Sequence, residues 1–203
     1  MAQEIELKLA LPVRLAPRLR QLKILQSLAT QKRCIRNIYL DTPEQTLRQQ
    51  KIALRRRQIG SQWLLTIKTA SSSRQGLSRR LEWEYPQPPD RLDFSPVEDG
   101  AIRQQLEQLA PGLKLAFRTD FVRQTWELRQ GNSSVELALD LGYIRCSHAR
   151  TPIHELELEL LQGEEEALAE LSASLQQQLP LTPLDLSKAA RGYALLDAGT
   201  TKP

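Results

Sequence analysis

The sequence has 203 residues, of which 40% are hydrophobic and 26% charged, and this composition favours a single globular domain over residues 1–203. No stretch reaches the roughly 18 consecutive apolar residues of a membrane-spanning helix, and the charged N-terminal segment does not resemble a secretory signal. Because the two cysteines lie far apart and belong to no C-x-x-C motif, we expect neither a disulfide framework nor a zinc cluster, and we expect a cytoplasmic protein.

Charge is distributed unevenly along the chain. Residues 1–95 contain 18 Lys and Arg against 8 Asp and Glu, a net charge of +10, whereas residues 96–203 contain 10 against 16, a net charge of −6. If both halves belong to one domain, a basic wall faces an acidic one. Such an arrangement suits a polyanion bound together with metal ions, although surface charge without a function explains the composition equally well.

The hydropathy pattern of the first half of the chain predicts mostly β-strands. Residues 3–9 alternate charged and apolar positions, as a half-buried strand does, and Pro17 begins a helical pattern of leucines. Four more strands are predicted, at residues 33–41, 51–58, 62–69 and 77–85. Gly60 supplies a hairpin turn between the second and third of these, and residues 70–76 form a serine-rich loop.

The second half of the chain is predicted to contain longer strands and three helices. A helix is expected from about residue 96 to residue 110, ended by Pro111. Four strands are predicted, at residues 113–129, 133–140, 142–149 and 153–161. Gly131 supplies a hairpin turn, and helices at residues 164–178 and from about 187 to 197 complete the chain.

Eight or nine strands joined mostly by short turns predict an antiparallel sheet in an α+β fold. A sheet of this size tends to curl and close on itself. Strand after strand places charged residues at one parity and apolar residues at the other, and the helices carry apolar stripes. If the helices cover the apolar outer face of a closed barrel, the charged residues line a polar tunnel. An open sheet with a solvated charged face is the alternative.

Two sets of glutamates have the spacing that places carboxylates on one face of a strand. Glu4 and Glu6 are two residues apart, about 6.6 Å along a strand, and Glu155, Glu157 and Glu159 repeat the arrangement. Stacked like charges are unfavourable unless a cation lies between them. Hard oxygen ligands of this kind suit Mg²⁺ or Mn²⁺, although the same spacing also occurs in solvated strands.

Basic residues recur at matching parity on the predicted strands. Arg55 and Arg57 share one face of a strand, and Lys68 ends the next strand. Arginine forks bind phosphate oxygens bidentately, whereas lysines act as movable point charges. The run around Arg56 also fits a surface charge run or a nucleic-acid patch. Since aromatic residues make up only 5% of the chain and stacking platforms are scarce, we expect no nucleic-acid partner.

The charged segments also match a known pattern in their order along the chain. The N-terminal Glu4-Ile5-Glu6-Leu7-Lys8 has the form E-x-E-x-K. The segments that follow it are Tyr39-Leu40-Asp41-Thr42, Leu54-Arg55-Arg56-Arg57, Leu65-Thr66-Ile67-Lys68, Arg80-Leu81-Glu82-Trp83-Glu84, Phe117-Arg118-Thr119, Glu136-Leu137-Ala138-Leu139-Asp140-Leu141-Gly142, Glu155-Leu156-Glu157-Leu158-Glu159 and Lys188-Ala189-Ala190-Arg191-Gly192-Tyr193. Over nearly the whole chain this set resembles the CYTH superfamily, the triphosphate tunnel metalloenzymes.

The resemblance implies a closed eight-stranded antiparallel β-barrel that forms a polar tunnel, with helices packed outside, and a metal-dependent triphosphatase. The most similar members hydrolyse inorganic triphosphate (tripolyphosphate) and continue into a histidine-rich CHAD domain. This chain has two histidines and is expected to be a catalytic domain without one. A class IV adenylyl cyclase and a thiamine triphosphatase are the alternatives within the fold, and a non-catalytic polyphosphate-binding module is the alternative outside enzymes.

The resemblance also implies a role for individual residues. The catalytic set would be Glu4, Glu6, Lys8, Glu157 and Glu159. The triphosphate would be held by Lys8, Arg55, Arg57, Lys68, Arg118 and Lys188. Mg²⁺ or Mn²⁺ would be held by Glu4, Glu6, Asp140 and two of Glu155, Glu157 and Glu159, with Glu157 and Glu159 as the preferred pair. The role of Arg123 stays open, and Gly142 is taken as a turn.

Overall fold

Eight strands close into an antiparallel barrel in the part of the chain that the structure describes. The structure is a computed structural model, and it describes residues 2–69 and 73–200. The strands are β1 (Ala2–Ala10), β2 (Thr30–Asp41), β3 (Ile52–Ile59), β4 (Gln62–Thr69), β5 (Leu77–Pro86), β6 (Lys114–Gln130), β7 (Ser133–Arg145), β8 (Arg150–Gln162) and β9 (Thr182–Pro183). Neighbours follow the order β5-β4-β3-β2-β6-β7-β8-β1, and β1 pairs with β5 to close the ring, while β9 adds to β1. The predicted α+β fold with a closed eight-stranded barrel is confirmed.

Six α-helices pack outside the barrel and at one of its ends. They are α1 (Ala16–Arg20), α2 (Lys23–Gln26), α3 (Thr46–Gln49), α4 (Gly100–Leu109), α5 (Glu166–Gln178) and α6 (Lys188–Thr200). The helix α5 packs against β1, β7 and β8, whereas α4 contributes to a core with β3, β4 and β5. The helix α6 lies against β6, β7 and β8. Within the described residues, none of the helices has the length and apolar character needed to cross a lipid bilayer.

Strand alternation explains why the barrel closes with its charges inside. On β1, Leu7 and Leu9 point outward and are buried in a core with Leu168 and Leu171 of α5. The intervening residues Glu4, Glu6 and Lys8 therefore point into the barrel, as expected for a period of two residues. Because the helices bury the apolar face of the sheet, the barrel interior receives the charged face.

The region around Gly142 departs from the prediction. Residues 133–149 were expected to form two strands with a turn at Gly142, but β7 continues through this position and pairs with Phe121 and Ile153 on both sides. A Cβ atom at Gly142 would lie 2.2 Å from the backbone oxygen of Asp120. Glycine is therefore needed here for a close approach of two backbones, not for a turn.

The remaining predicted helix and turns agree with the structure in part. The helical pattern that begins at Pro17 forms two short helices, α1 and α2, with a break between them. Residues 70–72 of the predicted serine-rich loop lie outside the described residues. The hairpin turns predicted at Gly60 and Gly131 are confirmed, and both glycines have positive φ angles, 59° and 56°.

Candidate active site

A cavity of about 970 Å³ occupies the barrel interior and is lined by side chains of both signs. The charged lining residues described on the strands and on α6 include Glu4, Glu6, Lys8, Arg55, Arg57, Lys68, Arg80, Glu82, Glu84, Arg123, Glu157, Glu159 and Lys188. Six of the eight strands of the barrel contribute to this set. Most residues that the sequence nominated therefore converge on one space, although they are spread over almost the entire chain.

The N-terminal carboxylates are bridged by an arginine from the neighbouring strand. Arg80 Nε lies 2.5 Å from Glu4 Oε2, and the same guanidinium contacts Glu6. Lys8 Nζ donates to Glu6 Oε1 at 2.8 Å, and both side chains are only 3% exposed. Burial lowers the pKa of Arg80, but the Glu6 and Glu4 carboxylates outweigh burial and raise it overall. The sequence assigned Arg80 no role, and its bridging position comes from the β1–β5 pairing that closes the barrel.

The backbone of Lys8 is clamped between two segments. Its N–H donates to the Gly76 oxygen at 3.0 Å, and its own oxygen accepts from the Leu184 N–H at 2.9 Å. Gly76 has a φ of +85°, and a Cβ atom there would lie 2.3 Å from the Lys8 oxygen. Asp185 Oδ1 accepts hydrogen bonds from the Gly76 N–H at 2.7 Å and from Ser73 Oγ at 2.8 Å. No local pattern of the sequence indicated this clamp, because Lys8 is 68 residues from Gly76 and 176 residues from Leu184.

The arginines of β3 form a basic wall on the opposite side of the cavity. Arg57 Nη1 lies 3.1 Å from Glu84 Oε2, and Arg57 Nε donates to Asn37 Oδ1 at 3.1 Å. Arg55 is 7% exposed, and its buried Nε has no hydrogen-bond partner among the described residues. Arg55 lines the cavity, and its Nη2 lies 3.8 Å from Glu84 Oε2, so its guanidinium is suited to an oxygen of an anionic ligand.

Lys68 extends the basic wall toward the N-terminal carboxylates. Its Nζ lies 2.7 Å from Glu4 Oε1 and 2.8 Å from Glu82 Oε2. Burial raises the pKa of Glu82, but Lys68 and then Arg55 outweigh burial, so the pKa is lowered overall. The cations of this wall therefore have carboxylates as counter-ions.

A second group of charges lies near α6, and we call it the paired cluster: Asp140, Glu155, Glu157, Arg123, Lys188 and Arg191. Carboxylate oxygens of its three acids lie within 4.8 Å of one another, a spacing that could hold a metal ion. Arg123 binds Asp140 bidentately, at 2.8 and 2.7 Å, and also contacts Glu157. Lys188 Nζ lies 2.7 Å from Asp140 Oδ2 and 2.9 Å from Glu157 Oε1. Burial raises the pKa of Glu157, but Lys188 and Arg123 outweigh it and hold the pKa well below its usual value.

Glu159 has the opposite surroundings. On the neighbouring strands its direct partners are Glu6 and Glu136, which are both acidic. Among residues 2–69 and 73–200, no Lys or Arg nitrogen lies within 4.0 Å of its carboxylate. Burial and then the Glu4 carboxylate raise the pKa of Glu159 to about 7. A half-buried carboxylate among like charges fits a site for a divalent cation, because a cation there would relieve the repulsion.

The helix α6 covers one end of the barrel and brings Lys188 to the cavity. Tyr193 donates from its hydroxyl to Asp41 Oδ2 at 2.7 Å, and its ring packs edge-on against Phe117 with 5.2 Å between centroids. A Cβ atom at Gly192 would lie 2.1 Å from a ring carbon of Phe117. Glycine at this position therefore allows α6 to sit close to the barrel end.

Arg118 does not reach the cavity, and the expectation that it faces the substrate is wrong. It is exposed on the outer face of β6, whereas the odd-numbered Thr119 and Phe121 are buried inward and Arg123 lines the cavity. The strand alternates in orientation, so a residue one position away from Phe117 points outward. Arg123 supplies the inward-facing cation of this strand. Glu155, a candidate metal ligand, is 0% exposed and does not belong to the described lining of the cavity.

The sequence and the fold both have close counterparts. The CYTH domain model matches residues 2–193. Over 199 residues the chain is 34% identical to the inorganic triphosphatase of Haemophilus influenzae, with 96% of this chain and 55% of that protein covered. The chain thus spans about half the length of this curated relative.

Several solved structures share the fold. A Hippeastrum protein, described as a candidate adenylyl cyclase with a dominant triphosphatase activity, has a TM-score of 0.67 and 21% identity, with 98% of both chains covered. A candidate adenylate cyclase from Bacillus halodurans has a TM-score of 0.56 and 19% identity, with 92% of this chain and 96% of that chain covered. A protein from Pyrococcus horikoshii OT3 has a TM-score of 0.56 and 20% identity, with 97% and 99% covered. At these identities the three likenesses show the barrel fold alone.

Proposed function

Because the chain belongs to the CYTH domain family, we propose that it hydrolyses the terminal phosphoanhydride of inorganic triphosphate to diphosphate and phosphate, with Mg²⁺ or Mn²⁺ as cofactor. The observation that carries the proposal is a barrel cavity whose cations face carboxylates across a space large enough for a small polyanion. The inorganic triphosphatase of Haemophilus influenzae, at 34% identity, supports the same activity.

The basic side chains of the cavity would bind the substrate. Five basic residues line the space and contact carboxylates: Lys8, Arg55, Arg57, Lys68 and Lys188. These cations would hold the phosphates and stabilise the charge of the transferring phosphoryl and of the leaving diphosphate. Positioning and electrostatics would then provide most of the catalysis, without a nucleophile from the protein.

The cavity-facing carboxylates Glu4, Glu6, Glu157 and Glu159 would hold the metal. The acidic surroundings of Glu159 support this choice, since its carboxylate has no described cation partner. A bound divalent ion would neutralise phosphate oxygens and lower the pKa of the attacking water. Asp140 is fully buried outside the described lining, and Arg123 and Lys188 contact its carboxylate, so it would orient these cations.

The cavity offers little to grip an organic group. Its described lining contains no tryptophan, and Trp83 and Trp126 are buried in the outer cores. Tyr39 lines the cavity, but it is 3% exposed and its ring is stacked on Phe117. Binding energy would come mainly from the phosphates, so we expect tripolyphosphate to be preferred over ATP and thiamine triphosphate.

Phosphate release from these three substrates, measured with Mg²⁺ and with Mn²⁺, tests the proposal. We expect the highest kcat/KM for tripolyphosphate and no turnover after exhaustive chelation. Formation of cyclic AMP from ATP would favour a cyclase, and a higher kcat/KM for thiamine triphosphate would favour that phosphatase activity. Tight binding of tripolyphosphate without phosphate release would indicate a polyphosphate-binding module instead.

A further inference from the structure

Glu155 is separated from the cavity, unlike the two glutamates that follow it at the same parity on β8. Its side chain is 0% exposed, and it does not belong to the described lining of the cavity. The carboxylate is held between two cations of α6. Arg191 Nη1 lies 2.5 Å from Glu155 Oε2, and Lys188 Nζ contacts Glu155 Oε1. Each oxygen thus has its own cationic partner.

Arg191 connects this ion pair to the backbone of the barrel. It follows Lys188 by three residues on α6, so the two side chains lie on the same face of the helix. Its second terminal nitrogen donates to the backbone oxygen of Pro152 on β8. Arg191 therefore bridges Glu155 and the backbone of the same strand, and this bridge fixes the first turn of α6 against β8.

Lys188 is the side chain that this bridge orients. Its ammonium has three donors, and it contacts three carboxylates, those of Asp140, Glu155 and Glu157. Arg123 also contacts Asp140 and Glu157, but it does not contact Glu155. If a phosphate oxygen took the place of Glu157 at Lys188, Arg191 would still hold Glu155. The Lys188 ammonium would then keep a fixed anchor.

We propose that Glu155 is a positioning residue and not a metal ligand: with Arg191 it forms a clasp that anchors α6 and aims the Lys188 ammonium into the cavity. The inference rests on the proposed function, since it assigns Lys188 to the triphosphate and the metal to other glutamates. A metal ion at Glu155 would have to displace Lys188 and Arg191 from a carboxylate without solvent access, and Arg191 would lose its one carboxylate partner among the described residues. No such displacement is needed at Glu159, which has no described cation partner.

The experiment compares the wild-type protein with four variants: Glu155→Gln, Arg191→Ala, Arg191→Lys and Glu159→Gln. Calorimetry gives the dissociation constants of Mn²⁺ and of tripolyphosphate, and steady-state kinetics give KM and kcat. We expect Glu155→Gln and Arg191→Ala to raise both the dissociation constant of tripolyphosphate and KM about tenfold. The value of kcat should change less than about threefold, and the dissociation constant of Mn²⁺ should stay within about twofold of the wild-type value. Glu159→Gln should weaken Mn²⁺ binding about tenfold or more.

Two comparisons separate the clasp from a general structural role. Arg191→Lys keeps a cation beside Glu155 and should recover part of the lost affinity, whereas Arg150→Ala, which removes an exposed outer arginine, should change neither constant. Arg191 is 17% exposed, so its variants test the clasp even where Glu155→Gln fails to fold. The increase in KM of Glu155→Gln and Arg191→Ala should persist at raised Mn²⁺ concentration, because it would not arise from weaker metal binding.

The inference is overturned where Glu155→Gln weakens Mn²⁺ binding as much as Glu159→Gln does, because Glu155 would then be a ligand. It is also overturned where Arg191→Ala leaves the tripolyphosphate constant and KM unchanged, or where the wild-type protein binds no tripolyphosphate. If the wild-type protein binds Mn²⁺ and tripolyphosphate but releases no phosphate, the proposed function fails. The calorimetric constants still decide the inference in that case.

Discussion

Glu155 and Glu159 lie on the same face of the same strand, four residues apart, and their surroundings are opposite. Glu155 is fully buried and binds Lys188 and Arg191, whereas Glu159 borders the cavity between the acidic Glu6 and Glu136. Burial removes hydrating water from both carboxylates, but only at Glu155 do cations of the protein offset this loss. Equal parity on a strand therefore does not imply an equal role.

The difference indicates how the barrel divides its acidic residues. Where α6 covers the barrel end, each carboxylate is matched by a cation of the chain, and the result is a charge-balanced wall. Where the strands face the open cavity, Glu159 lacks a matching cation among the described residues. A carboxylate without a counter-ion from the protein can accept one from solution, and this is the property that a metal ligand needs.

The largest expected effect is the loss of activity in Glu159→Gln. We expect kcat/KM for tripolyphosphate to fall about 10³-fold, about 4 kcal/mol, because an amide binds a divalent ion poorly. The free energy of unfolding should not decrease, since no ion pair of the protein is broken. Phosphate release and urea denaturation measure the two quantities, with the exposed Glu107→Gln as the matched control. A drop in kcat/KM below tenfold would assign the metal elsewhere.

For the paired cluster we expect a mutation to lower the stability of the protein. Asp140→Asn should lower the free energy of unfolding by about 3 kcal/mol, because Arg123 and Lys188 would stay buried with a charge unmatched. Urea denaturation checks this value, and the exposed Asp90→Asn should change the free energy of unfolding by less than about 0.5 kcal/mol. If Asp140→Asn is as stable as wild type, the cluster is not charge-balanced in solution.

A pH series can sharpen the comparison in the metal-free protein. Burial and Glu4 raise the pKa of Glu159 from 4.5 to about 7, so the folded state retains a proton that the unfolded state has lost between these values. Stability is therefore lost as the pH rises through this window, and it is constant above it. Relative to Glu159→Gln, wild type should lose about 2 kcal/mol of unfolding free energy between pH 4.5 and 7.5, less than the full linkage value because Glu159 is partly solvated.

The measurement is the free energy of unfolding of wild type and of Glu159→Gln in EDTA between about pH 4.5 and 7.5. The comparison with Glu159→Gln removes the contributions of all other titrating groups, which the two proteins share. A difference between the two curves that does not vary with pH would show that Glu159 has an ordinary pKa and is well hydrated. Its surroundings would then be less distinct from those of Glu155 than the structure indicates.

The fold could be predicted from the sequence because its signals are local. Alternation over residues 3–9 and the turns at Gly60 and Gly131 are properties of neighbouring residues, and they are sufficient to indicate an antiparallel sheet. Gly142 was mistaken for a turn because its function is tertiary: it allows β7 to approach the Asp120 backbone. A single sequence does not distinguish a glycine of this kind from a turn glycine.

The site could be predicted only where the parity of a strand is unambiguous. On β1 the inward positions from Glu4 to Lys8 are all charged, and the orientation of Glu4 and Glu6 follows directly. On β6 both faces carry charges, so the choice between Arg118 and Arg123 depended on the register with β7. The clasp between Arg191 and Glu155 joins residues 36 positions apart and forms only when α6 docks.

The parity rule can be tested on β3, at the opposite wall of the cavity from Glu159. Arg57 points inward and contacts Glu84 and Asn37, whereas Arg56 points outward with its buried Nε unpaired among the described residues. Arg57→Ala should lower kcat/KM for tripolyphosphate at least about tenfold, about 1.4 kcal/mol, and Arg56→Ala should lower it much less. Phosphate release at saturating Mg²⁺ separates the two variants. Equal effects would show that the orientation of a side chain on β3 does not decide its role, and that the strand alternation by which Arg57 is assigned to the cavity is not sufficient to identify a substrate ligand.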